Sequence, residues 1–207
     1  MLTGVAVQSD TVVTWMREVA ADVHTHADHL TQLDAAIGDG DHGINMNRGF
    51  EAVTKALAAQ DASLPPGRIL VLAGKTLVST VGGASGPLWG SFFRGAGRAL
   101  GDAQEVQPDE LRDALAAGVA AVRDLGAAAP GDKTMVDALA PALDALAAAP
   151  GDYGRAAEAA EEGARATVPL QARKGRASYL GERSIGHEDP GAASAALVMR
   201  ALARAAG

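Results

Sequence analysis

Apolar residues recur along this chain at three- and four-residue spacing, the period of a helix with one buried face. Val13, Met16, Val19, Ala20 and Val23 set the stripe of a first helix, expected over residues 9–30. A second helix, after a loop at 38–43, carries Met46, Phe50, Val53 and Leu57, and the two prolines within 61–67 break it. Further helices are expected over 69–80 and 87–100. Another opens at Pro108, where proline suits the first turn and Asp109 and Glu110 favour the positive helix end, and it ends near Gly126. Helices over 135–148, 153–168 and 190 to the C-terminus complete a set of about eight. Ile69-Leu-Val-Leu is the one run that also reads as a strand, but it leads straight into the helical stretch 73–78. The pattern therefore predicts an all-α, up-and-down helical bundle, without repeats or low-complexity linkers, folding as one domain over residues 1–207.

Composition sharpens this picture. The chain has 207 residues, enough for one sizeable core, and hydrophobic residues make up 48% of it. Aromatics are only 3%, so the core is expected to be mostly Ala, Leu and Val, with Ala supplying helix propensity. The net charge of −7 argues against non-specific nucleic-acid binding. It also means that an anionic ligand would need a local cation. There is no cysteine, which excludes disulfides, thiolate metal sites and a cysteine nucleophile. Residues 1–10 lack the basic and apolar regions of a signal peptide, and no apolar run reaches the ~18 residues of a membrane span. The expectation is a soluble, cytoplasmic protein.

Four segments, 34–45, 82–90, 126–135 and 173–191, are dense in Gly, Asp, Ser and Arg. In an up-and-down bundle alternate loops fall at one end, so these four point to one composite site. The first places Asp34, Asp39 and Asp41 among glycines 38, 40 and 43. Asp39 and Asp41, two apart, face one way in an extended loop, and Asp34 can fold back towards them. Converging carboxylates repel unless a cation lies between them, and all-oxygen ligands suit Mg²⁺, Mn²⁺ or Ca²⁺. The same residues also read as a polar turn with surface acids. Gly38 to Gly43 fits G-x-G-x-x-G, but no strand precedes it and bare aspartates would repel a pyrophosphate. Ala73-Gly-Lys-Thr lacks the first P-loop glycine, and the acids have the wrong register for an EF-hand.

In the second segment, glycines 82 and 83 lead through Ala84 and Ser85 into a helix with Pro87 in its first turn, a ready anion site or a tight interhelical turn. Pro130-Gly-Asp-Lys-Thr-Met135 offers Asp132 or Thr134 as a helix cap. The fourth segment carries four basic residues, of which Arg176 and Arg183 are candidates for phosphate or ribose, against the plainer reading of a solvated basic loop. Of the five histidines, those at 24, 26 and 29 are expected on the surface of the first helix, and His42 sits among the acids.

The stretches IGDGDHGINMNRGF, TVGGASGPLWGSFF, PGDKTM and QARKGRASYLGERSIGHEDPGA occur in this order across nearly the whole chain. Together they resemble the L subunit of bacterial dihydroxyacetone kinase (DhaL) and the related C-terminal domain of single-chain dihydroxyacetone kinases. The resemblance implies an antiparallel eight-helix barrel with ADP and two Mg²⁺ at one end. It puts the metal on Asp34, Asp39 and Asp41. It puts nucleotide contacts on His42, Gly43, Ile44, Asn45, Ala84, Ser85, Gly126, Met135, Arg176, Asp189, Pro190 and Gly191. A distant likeness to the nucleotide domain of fatty acid kinase covers only the aspartate loop. The resemblance further implies that dihydroxyacetone is held covalently by a histidine of a separate K subunit. The implied phosphoryl donor is either the phosphohistidine M subunit, rephosphorylating resident ADP in the phosphoenolpyruvate-dependent system, or free ATP. A regulatory, ADP-bound role towards a transcription regulator is a third reading, although a pure scaffold needs no metal ligands. No protein nucleophile, nucleic acid or membrane enters, and a homodimer is left open.

Overall fold

The structure is a computed structural model and describes residues 6–61 and 63–207. Part of the N-terminal stretch read against a signal peptide, residues 1–5, lies outside it, as does residue 62 of the break at 61–67. Eight helices carry the fold: α1 (Ser9–Ile37), α2 (His42–Ala58), α3 (Pro66–Thr80), α4 (Ser85–Leu100), α5 (Pro108–Gly126), α6 (Val136–Ala148), α7 (Tyr153–Ala166) and α8 (Pro190–Ala206). A 3₁₀ segment, Arg176–Ser184, interrupts the α7–α8 connection. Each helix packs on its neighbours in sequence and α8 closes on α1, giving an antiparallel up-and-down barrel. α5 and α6 form the loosest joint of the ring.

Helix starts follow from local chemistry. Pro66, Pro108 and Pro190 occupy first-turn positions, where the missing N–H costs nothing. α5 has a capping box in which the Gln107 N–H donates to Glu110 Oε2 at 2.7 Å. Asp152 and Asp189 cap α7 and α8 through the N–H groups of Arg155 and Ala192. α1 runs seven residues further than its apolar stripe suggested, because Leu30, Asp34 and Ile37 keep the buried face going up to Gly38. Two short strands, β1 (Val7–Gln8) and β2 (Glu105–Val106), pair antiparallel with Val7 opposite Val106. They clasp the end of the barrel away from the glycine-rich loops.

The barrel interior is not filled by Ala, Leu and Val alone. Both tryptophans and all three phenylalanines meet in one cluster, Trp15, Phe50, Trp89, Phe92 and Phe93, with ring centroids 5.1–6.1 Å apart. Such edge-on and tilted pairs add to the burial of their area. The Trp15 indole N–H also donates to Val198 O at 2.9 Å, satisfying its one polar atom and tying α1 to α8. Alanines 138, 142, 156, 160, 192 and 195 line the α6–α7–α8 side, where small side chains allow close approach. Among the described residues no helix is long and apolar enough to cross a membrane.

Candidate functional site

The α1–α2, α3–α4, α5–α6 and α7–α8 connections fall at one end of the barrel and enclose a cavity of about 390 Å³. Its wall includes the first turns of α2, α4, α6 and α8 through His42, Ser85, Val136 and Pro190. Four helix N-termini, each carrying a partial positive charge, therefore border one space. One side is apolar, made by Leu88, Val122, Leu125, Ala128 and Met135 at the loose α5–α6 joint. The other side carries acids and the basic residues Lys133, Lys174 and Arg176.

Asp34, Asp39 and Asp41 each offer a carboxylate oxygen, and these oxygens lie within 4.8 Å of one another. Asp34 is in the last turn of α1 and is buried; its Oδ2 accepts the N–H of Asp41 at 2.8 Å and of His42 at 3.1 Å. Gly38 leaves room for that carboxylate, since a Cβ there would lie 2.1 Å from Asp34 Oδ1. Gly40, at φ +74°, then turns the chain so that Asp39 and Asp41 face back. Arg176 Nη2 reaches Asp39 Oδ2 at 3.1 Å, bringing the α7–α8 loop over the acids. An all-oxygen set of this kind, one anchored carboxylate and two solvent-facing ones, suits a hard divalent cation that keeps waters and shares a phosphate. The stretch 38–43 follows a helix, not a strand, and Ala73 to Thr76 lies within α3, so neither nucleotide-loop look-alike has its required context.

His42 is buried and both ring nitrogens are engaged, Nδ1 with Ser85 Oγ at 3.1 Å and Nε2 with Ser194 Oγ at 3.0 Å. Burial holds its pKa below the ordinary histidine value, against the opposing pull of Asp34, Asp41 and the Pro190 backbone. Asp189 is buried as the cap of α8, and burial pushes its carboxyl up to about 7 against the Ala192 N–H and the charge of Lys133.

Of the residues expected at the site, Asp34, Asp39, Asp41, His42, Ala84, Ser85, Gly126, Met135, Arg176, Asp189, Pro190 and Gly191 all line the cavity. Gly43, Ile44 and Asn45 do not. Gly43 is pressed against α1, Ile44 is exposed, and Asn45 is buried beside Gly82 and accepts from Arg48 at 2.7 Å. His24, His26 and His29 stay at or near the surface. Sequence reasoning passed over Lys133. It is 1% exposed, has a left-handed backbone at φ +62°, and donates to Thr167 O, Leu170 O and His187 O. Its only advance sign was a cation inside the Gly-Asp-Lys-Thr turn.

Comparison with known proteins places this arrangement. The DAK2 domain model matches residues 36–204. The ADP-binding subunit DhaL of the PEP-dependent dihydroxyacetone kinase of Escherichia coli K12 is 46% identical over 202 residues, covering 94% of this chain and 96% of that one. The chain belongs to the DhaL family of dihydroxyacetone kinase subunits. A second DhaL, from a PEP-dependent dihydroxyacetone kinase of Listeria innocua, is 42% identical over 90% of each chain. Among solved structures, the dihydroxyacetone kinase of C. freundii in complex with AMP-PNP and Mg²⁺ superposes with TM-score 0.74 at 33% identity. That match covers 93% of this chain but 33% of the C. freundii chain, so the DhaL fold corresponds to about a third of the longer kinase.

Proposed function

We propose that this DhaL-family chain is the nucleotide-carrying, cytoplasmic subunit of a dihydroxyacetone kinase, with ADP held through magnesium in the cavity at the loop end. The observation that carries the reading is the convergence of three aspartate oxygens within 4.8 Å on the wall of a cavity that four helix N-termini also face. Asp34, Asp39 and Asp41 are the ligands for the metal. Three carboxylates and an ADP of about −3 sum to about −6; two Mg²⁺ bring this to about −2, where one leaves about −4. The α4 and α8 N-termini suit phosphate oxygens, Arg176 adds an exposed cation at the rim, and the Leu88–Val122–Leu125–Met135 wall suits a flat apolar base.

When bound, ADP would supply the β-phosphate that accepts a phosphoryl group from the phosphohistidine of an M subunit and gives it to dihydroxyacetone on a K subunit. The residues of this chain serve that exchange by alignment and charge neutralisation and supply no nucleophile. His42, the histidine nearest the acids, has both ring nitrogens bonded to serine hydroxyls and no free lone pair aimed at solvent. Exposed apolar residues at this end, Ile44, Leu125 and Tyr179, suit a face on which the two partners dock in turn.

A ³²P-labelled phosphohistidine donor tests the path. Label is expected in bound nucleotide and not on the protein. Acid-labile, base-stable label on His42 would replace this reading by a phosphohistidine relay. Full turnover with added ATP and no donor protein would replace it by an ATP-dependent kinase subunit.

A further inference from the structure

The α7–α8 connection is a 23-residue excursion, 167–189, that leaves the barrel and returns to it. Its neck is closed by two hydrogen bonds, Gly186 N–H to Val168 O at 2.8 Å and Asp189 N–H to Thr167 Oγ1 at 2.9 Å. Lys133 reaches into that neck from the α5–α6 loop. Its ammonium donates to Thr167 O at 2.8 Å and Leu170 O at 3.1 Å on the outgoing strand of the neck, and to His187 O on the returning one. All three of its protons are thus used, each on a backbone carbonyl outside the helices; Thr167 O also accepts the Leu170 N–H at 3.0 Å. The Arg173 N–H donates in turn to Asp132 O at 3.1 Å, so the two loops are sewn together from both sides. Beyond the neck, the loop lays Lys174 and Arg176 over the cavity, with Arg176 on Asp39.

A lysine buried to this degree and held at φ +62° is costly in desolvation and in backbone strain. Such a cost persists where the surroundings require the group. Its three hydrogen-bond acceptors all belong to the excursion and its neck, and the charges it faces are Asp189, the cap of α8, and Asp137 in the first turn of α6.

We propose that Lys133 is a positioning residue for nucleotide binding, fixing the 167–189 loop so that Arg176 and the Asp189–Gly191 start of α8 stay on the cavity. The inference rests on the nucleotide reading above, which assigns that loop to the ligand.

The test uses the full chain stripped of nucleotide, with ADP affinity measured by calorimetry at fixed Mg²⁺. Lys133→Met keeps length and volume and removes the three donors. The expected result is ADP binding weakened about tenfold or more, faster tryptic cleavage between residues 173 and 183, and helical circular dichroism retained. Arg176→Ala should cost less in the Lys133→Met background than in the wild type, because the loop no longer presents the arginine. A Lys133→Met protein that melts earlier but binds ADP like the wild type would make the residue a plain stabiliser and overturn the proposal. Equal cost of Arg176→Ala in both backgrounds would also overturn it. Should Lys133→Met not fold, Lys133→Gln, which keeps a donor for one carbonyl, is read by the same outcomes. Hydrogen exchange on the unmodified, ADP-free chain adds a variant-free measure. Protected amides at Gly186 and Asp189 support a fixed neck, and exchange there as fast as at the exposed Tyr179 overturns it. A wild type that binds no ADP would sink the nucleotide reading, while proteolysis and exchange would still decide whether Lys133 holds the loop.

Discussion

Gly43 separates packing from ligand contact in one substitution. By resemblance it touches nucleotide, yet in the fold it is buried where the first turn of α2 crosses α1. A Cβ there would lie 1.9 Å from Ala27 O, 2.6 Å from Thr31 Oγ1 and 2.8 Å from Ala27 C. Two of these are backbone atoms inside α1, so relief requires the helices to part, not a rotamer to turn. Overpacking of this kind costs about 1–3 kcal/mol, and the contact is severe enough for the upper end. Ala gains up to ~1 kcal/mol of helix propensity over Gly, less in a first turn. Gly43→Ala should therefore lose about 2 kcal/mol, a fall in Tm of roughly 4–8 °C for a chain of this size. The measurement is thermal and urea unfolding of ADP-free protein after EDTA and dialysis. Gly154→Ala, in the first turn of α7 with no neighbour closer than Asp152 Oδ1 at 3.8 Å, is the control and should change stability by less than about 0.5 kcal/mol. Because α2 carries Asp41 and His42 at its start, ADP affinity should fall along with stability. An ADP-free Gly43→Ala protein as stable as the wild type, yet unable to bind ADP, would refute the packing argument and give the glycine to the ligand.

Ligand removal should be visible in melting curves: Mg²⁺ with ADP at 100 times Kd adds about 2.7 kcal/mol, or roughly 5–10 °C, and EDTA with dialysis takes it away. A curve indifferent to both counts against the site. Asp189 gives a pH signature. Its carboxyl titrates near 3.8 when unfolded and near 7 when folded, so the folded state holds the proton longer. Its contribution therefore falls as pH rises from about 4 to about 7 and is flat above. Asp189→Asn, which can still accept the Ala192 N–H, should remove that fall, and a stability difference independent of pH would contradict the assignment.

Much of this was legible in the sequence because each helix repeats its apolar spacing and each break carries Gly or Pro. Proline at 108, with Asp109 and Glu110, and proline at 190 mark helix starts by local chemistry alone, whereas the prolines within 61–67, read as a break before a helix at 69, also start α3 at Pro66. The boundaries slipped where tertiary packing extended a helix past its apolar stripe. Asp34 is polar, so α1 seemed to stop at Leu30, whereas the aspartate is buried on the core face because two amides of the next loop bond to it. His42 and Gly43 read as loop because the glycines around them hid the first turn of α2. The two-residue strands are too short to alternate and left no pattern. The composite site was legible as four loops on one end of an up-and-down bundle, which topology alone brings together. What the sequence could not carry was direction. Whether Lys133 turns inward depends on carbonyls 34 to 54 residues away.

The central claim is that Asp34, Asp39 and Asp41 hold ADP through magnesium, and nucleotide content tests it most directly. Asp39 and Asp41 are exposed, so Asp39→Asn and Asp41→Asn should leave the barrel folded. Wild type and variants are purified in parallel with Mg²⁺, checked for equal helicity by circular dichroism, and their bound nucleotide is measured by HPLC and mass spectrometry. The account predicts ADP with the wild type and none with either variant; equal ADP content in all three, at equal helicity, would contradict it.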